Sequence, residues 1–205
     1  MPEFRHRDPA APDFWNERFE QAFTPWDRAG VPMALRSFVA ARAEPMSVLI
    51  PGCGVGYEVN FLADAGWDVT AIDFSPVAVA TARAALGRWA DRVVEGDFFA
   101  FNPLFKPQLI YERAFLCALP PAMGERIVER WAELLAPGGL LAGFFFIDES
   151  AKGPPFGITV ERLKTLLERE FVCLEDAPVD DSIPVFAGRE RWQVWRRKDS
   201  AALPI

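Results

Sequence analysis

Ser47-Val48-Leu49-Ile50-Pro51-Gly52-Cys53-Gly54-Val55-Gly56 is the stretch on which the reading of this chain turns. Ser47–Ile50 is a short apolar run with β-branched members and no polar alternation, the pattern of a strand covered on both faces. Three glycines at alternate positions then let the backbone turn tightly and approach a ligand without Cβ obstruction. Tyr57–Ala65 follows with helical spacing, and Gly66 supplies a helix-ending residue. Strand, glycine turn and helix in this order open a βαβ unit.

The same unit repeats downstream. Asp68–Asp73 reads as the second strand; Ser75-Pro76, an N-cap followed by proline at the first helical position, opens an Ala-rich helix to about Leu86. Arg92–Glu95 and Gln108–Leu116 are strands three and four. Pro121–Leu135 is a helix stopped by Pro137-Gly138-Gly139, Leu140–Ile147 is strand five, and Val160–Glu170 is the last helix. Phe171–Glu175 and Arg191–Arg196 close the sheet, the latter as an antiparallel strand at or near an edge, with Trp192 and Val194 inward and Arg191 and Gln193 solvated. On the N-terminal side, Phe14–Phe23 carries aromatic residues at helical spacing, Thr24-Pro25-Trp26-Asp27 breaks that helix, and a second helix spans about Pro32 to Arg42. The expectation is an α/β fold: a doubly wound, mostly parallel Rossmann-like sheet of seven strands, with an N-terminal helical segment. Residues 1–13 read as a flexible arm, 14–198 as a single domain in which 14–45 form the N-terminal segment and helix, and 199–205 as a C-terminal tail.

Composition narrows the function. The 205 residues are 51% hydrophobic and 25% charged, enough for a full core beneath a solvated surface. A net charge of −7 argues against a nucleic-acid partner, which needs clustered Lys and Arg. No apolar run approaches the ~20 residues that span a bilayer, and the polar, Pro-rich start has no signal-peptide core. Cys53, Cys117 and Cys173 are far apart and the single histidine is His6, so neither a disulfide framework nor a metal site is expected. The reading is a cytoplasmic monomer acting on a small molecule.

In an open α/β sheet the ligand lies beyond the carboxyl ends of the strands. Gly52, Cys53 and Gly54 sit at the first of these ends, in a G-x-G-x-G spacing that differs from the G-x-G-x-x-G of dinucleotide folds. Asp73 closes strand two, 17 residues after Gly56, where a carboxylate accepts from both hydroxyls of a ribose; Phe74 stands beside it. Asp97 closes strand three, placed to take an exocyclic adenine amine with Phe98 against the ring.

These elements in this order resemble class I S-adenosylmethionine-dependent methyltransferases, and more narrowly the thiopurine S-methyltransferase family with its thiol/halide branch. The resemblance runs from Trp15 to Lys198. It is carried by Trp15…Phe19…Thr24-Pro25-Trp26-Asp27, Leu49–Gly54, Gly96-Asp97-Phe98-Phe99, Glu112–Ala118, Leu135–Gly139 and Gly153-Pro154-Pro155-Phe156. It implies S-adenosylmethionine as cofactor, S-adenosylhomocysteine as product, and no metal. It also implies that the N-terminal helix covers the cofactor as a lid through Trp15, Phe19 and Trp26; indole faces attract a sulfonium and exclude water. Position 19 is phenylalanine where one branch carries a third tryptophan. Glu112 matches an acidic position near the methionine part of the cofactor. Arg113 matches the arginine of the thiopurine enzymes, where the plant thiol/halide branch has tyrosine.

Glu112 and Arg113 are thus the expected catalytic pair. Arg113 also serves cofactor and substrate, and Trp26 and Phe156 border the substrate. With no histidine in the domain, proximity, alignment and desolvation are expected to drive transfer to the sulfur of a small thiol, thiopurine or sulfide. Transfer to halide, selenium or tellurium anions, or a non-catalytic module on the same fold, stays open. Cys117, without a histidine partner, reads as packing, and Cys53 as a small turn residue.

Overall fold

The computed structural model describes residues 3–150 and 152–199. Residues 1–2 of the expected arm and 200–205 of the expected tail lie outside that range. Seven strands, β1 (Ser47–Pro51), β2 (Asp68–Asp73), β3 (Val93–Glu95), β4 (Leu109–Arg113), β5 (Leu140–Phe146), β6 (Phe171–Pro178) and β7 (Glu190–Arg197), form one sheet in the order β3-β2-β1-β4-β5-β7-β6. β1 to β5 pair in parallel, β7 runs antiparallel to β5, and β6 antiparallel to β7. The sequence order reverses between β1 and β4, and a crevice opens where strands diverge at such a switch.

Helices cover both faces. α1 (Pro12–Glu20) and α2 (Met33–Ala40) precede the sheet, α3 (Tyr57–Asp64) follows β1, α4 (Pro76–Leu86) follows β2, α5 (Gly124–Leu134) follows β4 and α6 (Val160–Leu167) precedes β6. Apolar residues of α2, α3 and α4 pack on one face, with Val48, Ile50, Leu109 and Tyr111. Those of α5 and α6 pack on the other, with Leu49, Ile110, Leu141 and Phe145. The alternation of strand side chains divides the core this way. Ser75 caps α4, its Oγ accepting from the Ala78 amide at 3.1 Å, and Thr159 caps α6 likewise.

Three differences from the sequence reading bear on the site and the sheet edge. β4 stops at Arg113 instead of Leu116, because Ala114 takes a positive φ of 57° and turns the chain out of the sheet. α5 starts at Gly124, after a 3-10 turn at Pro121–Met123. β7 is covered on both faces: Gln193, expected in solvent, is 1% exposed and accepts a hydrogen bond from Trp195 Nε1. The solvated edge is instead β6, whose residues after Phe171 are largely exposed.

Candidate active site

A cleft of about 1080 Å³ opens over the carboxyl ends of β1, β2, β3 and β4. Small-molecule pockets run from ~300 to ~1,000 Å³, so this one has room for a cofactor and a second small molecule together. Trp15, Phe19, Trp26, Gly52, Cys53, Gly54, Asp73, Phe74, Asp97, Phe98 and Arg113 all line it.

The turn after β1 is shaped by Gly52. Its φ is +62°, and a Cβ there would lie 2.8 Å from Phe115 Cδ2, so only glycine lets the Phe115 ring close down on this turn. Phe115 in turn stacks edge-on with Phe98, centroids 5.0 Å apart. Asp73 ends β2 and is 8% exposed. Its Oδ1 accepts from the Ser75 amide at 2.9 Å and its Oδ2 from the Gly54 amide at 3.3 Å, which ties the β1 turn to the β2 end. Burial pushes its pKa up to about 6 against the pull of these amides. Asp97 is exposed, and its Oδ1 accepts from the Phe99 amide at 2.9 Å.

One wall of the cleft comes from the N-terminal segment. Trp15 donates from Nε1 to the Pro9 carbonyl at 2.8 Å and meets Trp26 edge-on at 5.3 Å; Phe19 meets Trp26 at 6.1 Å. Asn16 Oδ1 accepts from Ser75 Oγ at 2.7 Å, which joins α1 to the start of α4. Before α1, the Arg5 and His6 amides donate to the Glu17 carboxylate and Phe4 packs on Phe23.

At the end of β4, neighbouring residues part. Arg113 shares a face with Tyr111 and enters the cleft, its guanidinium 4.4 Å from the Phe144 ring centroid. Arg113 Nη1 lies 3.4 Å from Glu190 Oε1, and neither terminal nitrogen of Arg113 has a hydrogen-bond partner. Burial works against its charge, but Tyr111, Glu190, Glu58 and Glu112 together raise its pKa. Glu112 points to the opposite face and does not reach the cleft. Its Oε1 accepts from the Phe115 and Leu116 amides, both at 2.9 Å, while its Oε2 is buried without a partner. It lines a second cavity of about 230 Å³, and so does Phe156, the other expected site residue that the fold keeps out of the main cleft. Of the 153–156 loop, Gly153, Pro154 and Pro155 face the cleft. Burial raises the thiols of Cys53 and Cys117 well above the usual range, which fits packing and not nucleophilic attack.

Sequence reasoning missed Glu58 in the first turn of α3 and Glu190 at the start of β7. Glu58 lines the cleft beside Arg113. Its signal was present: an acid two residues after the last glycine of the turn, at a helix N-terminus.

The residues fit S-adenosylmethionine. The glycine turn offers backbone that a Cβ would obstruct, two acids stand at successive strand ends, and an aromatic wall faces them. The model of thiopurine S-methyltransferase (TPMT) matches residues 10–198. A probable thiol methyltransferase 2 of Arabidopsis thaliana is 28% identical over 193 residues, 91% of this chain and 85% of that protein. A thiopurine S-methyltransferase of Vibrio campbellii is 31% identical over 160 residues, 69% of this chain and 74% of that one. Among solved structures, a Burkholderia thailandensis 1,6-didemethyltoxoflavin-N1-methyltransferase with bound S-adenosylhomocysteine superposes with a TM-score of 0.72 at 19% identity, covering 97% of this chain and 94% of its own. With the strand order, the glycine turn and the acids at the strand ends, these matches make the chain an S-adenosylmethionine-dependent methyltransferase that belongs to the thiopurine S-methyltransferase family.

Proposed function

We propose that the enzyme methylates the sulfur of a small thiol, thiopurine or sulfide and releases S-adenosylhomocysteine. The observation that carries this reading is Arg113, a guanidinium that lines a two-ligand cleft with both terminal nitrogens buried and without hydrogen-bond partners. S-adenosylmethionine supplies an electrophilic methyl carbon on a positively charged sulfur. A thiol with pKa near 8.5 is partly ionised at neutral pH, and a cation beside it increases the thiolate fraction. The thiolate, a soft nucleophile, suits that methyl carbon. The thiol and thiopurine relatives support the same acceptor class.

In this reading Asp73 accepts from the ribose hydroxyls and Asp97 from the adenine amine, with Phe98 against the ring and Phe74 at the β2 end. Gly52, Cys53 and Gly54 offer open backbone to the cofactor. Trp15, Phe19 and Trp26 cover the sulfonium and keep water out. Arg113, Trp26 and the Pro154–Pro155 segment border the acceptor. Residues 14–198 form the single catalytic domain, 14–45 its lid and first helices. A monomer in the cytoplasm is the setting we assign; among the described residues no helix is long and apolar enough to cross a membrane. A screen of sulfide, alkyl thiols, aryl thiols, thiopurines and iodide with labelled methyl donor tests the acceptor. The expected result is label on a sulfur acceptor. Preference for iodide over every sulfur compound overturns it.

A further inference from the structure

Five carboxylates line the cleft, those of Asp27, Glu58, Asp73, Glu95 and Asp97. Asp27, Asp73 and Asp97 each commit an oxygen to the amide of a residue further along the chain, at 2.6, 2.9 and 2.9 Å. Glu95, exposed at the end of β3, lies toward the proposed adenine side. The amide facing the Glu58 carboxylate is its own. Glu58 rises from the first turn of α3, the helix on the face of the sheet to which Arg113 and Tyr111 point. Tyr111 Oη is buried with no hydrogen-bond partner, yet lies near enough to Glu58 to favour its charged form. A carboxylate and a guanidinium without hydrogen-bond partners thus border one part of the cleft, and a basic S–H ionises more readily where it meets both an acceptor for the proton and a cation for the sulfur that remains.

We propose that Glu58 is the general base of the reaction, taking the proton of the acceptor's S–H while Arg113 stabilises the sulfur anion. The S–H bond breaks, its electron pair stays on sulfur and the proton moves to a Glu58 oxygen. The sulfur pair then forms the new S–CH3 bond. The bond from that carbon to the donor sulfur breaks, leaving its pair on that sulfur as a neutral thioether. The proton leaves Glu58 to water when the products depart. The inference rests on the sulfur-acceptor reading above.

The surroundings suit a base. Burial raises the Glu58 carboxyl above its ordinary value; Arg113 and Tyr111 from β4 hold that rise back, and Asp27 from the segment after α1 adds to it. Tyr57 on α3 and Cys53 on the turn after β1 both lie in the field of Glu58, while Glu190 and Glu112 act on Arg113. A carboxylate with a raised pKa is a stronger proton acceptor for a basic thiol than an unperturbed one.

The test compares wild type with Glu58→Gln on a basic alkyl thiol and on an aryl thiol already ionised at neutral pH. With the alkyl thiol, kcat/KM is expected to fall on the order of 10²-fold, and with the aryl thiol several-fold at most. The alkyl-thiol rate of the variant should climb about tenfold per pH unit up to the thiol's own pKa, while wild type levels off earlier. Donor affinity by calorimetry should stay within about twofold. Equal losses on both thiols, or a loss matched by weaker donor binding, overturn the proposal: the carboxylate would then hold the donor or the turn. If Glu58→Gln does not fold, Glu58→Asp carries the test, with the same thiol-dependent pattern expected and equal losses again decisive against it. A wild-type enzyme that binds the donor yet methylates neither thiol overturns the sulfur reading and this inference with it; wild type active on both with a uniformly slowed variant overturns this inference alone.

Discussion

The ends of β2 and β4 meet the same cleft in opposite electrostatic condition. At β2, the Asp73 oxygens are met by the Ser75 and Gly54 amides, and those bonds hold the glycine turn in place. At β4, Arg113 stands at 3.4 Å from Glu190, with Glu58 and Tyr111 in its field, and polar atoms of Tyr111, Arg113 and Glu190 lack hydrogen-bond partners. Buried polar groups left open cost stability, and such openness concentrates where a ligand completes the arrangement. On the proposed reading, the β2 end binds and the β4 end reacts.

Breaking the β4 end has the largest expected effect. Arg113→Ala leaves Glu190, 4% exposed in its side chain, without its cation. Removing one partner of a buried pair costs about 3–5 kcal/mol. Urea unfolding should register that loss, and turnover with basic thiols should fall more than with acidic ones. The double variant Arg113→Met with Glu190→Gln removes both charges and should recover most of the stability. Turnover should stay low in that folded protein. Full recovery of both would make Arg113 a structural ion-pair partner and erase the contrast between the two ends.

Glu112 sharpens the comparison from the other face of β4. Burial lifts its carboxyl from 4.5 to about 7, although the Leu116 and Phe115 amides pull it down. A pKa raised in the fold means that the protonated form is the one the fold favours. Its stabilising contribution is complete below the unfolded value and is lost as pH rises toward 7. Asp73, lifted to about 6, acts with the same sign. Glu112→Gln should therefore match wild type near pH 4 and exceed it at pH 8 by about 3 kcal/mol, with a shallower stability decline between. Turnover should change little, since Glu112 does not line the cleft. An unchanged slope would sink this account of Glu112.

Asp73→Ala comes next. It removes an acceptor for two amides and, on the proposed assignment, for the ribose hydroxyls. Donor binding should weaken by about 1–3 kcal/mol in calorimetry. Unchanged affinity would contradict the ribose role.

The same contrast explains what could be read from the residues in order. The β2 end is local: Gly52, Gly54, Asp73 and Ser75-Pro76 follow one another along the chain, and each has a backbone reason to stand where it does. The resemblance to a family added the aromatic wall and Arg113. The β4 end is assembled from distance. Glu58 comes from α3, Tyr111 and Arg113 from β4, and Glu190 from the start of β7. No spacing links them; only the strand order β1-β4-β5-β7 brings them together. That Glu112 lines the second cavity and not the cleft could not be read in advance, because strand alternation says that neighbours part without saying which one faces the cleft. The positive φ of Ala114, which ends β4 early, has no signal in an alanine. Gln193 looked solvated because alternation assumes one wet face, whereas β6 takes the edge and leaves β7 covered on both sides.

The smallest effect tests whether the two cavities are separate. Phe156 lines the second cavity with Glu112 and not the main cleft, although Pro154 and Pro155 of the same loop do face the cleft. Its amide donates to the Cys117 carbonyl at 2.7 Å, so the backbone alone fastens this loop to the 3-10 turn at Leu116–Ala118. Phe156→Ala keeps that bond and should leave the acceptor KM within about twofold, an effect of roughly 0.4 kcal/mol. Cys117 and Leu119 line both cavities, which makes this turn the thin wall between them. If KM rises tenfold or more while kcat holds, the acceptor must reach past that wall. The Glu112 side of β4 would then join the reacting end, and the division argued from the parting of Glu112 and Arg113 would have to be redrawn around Cys117.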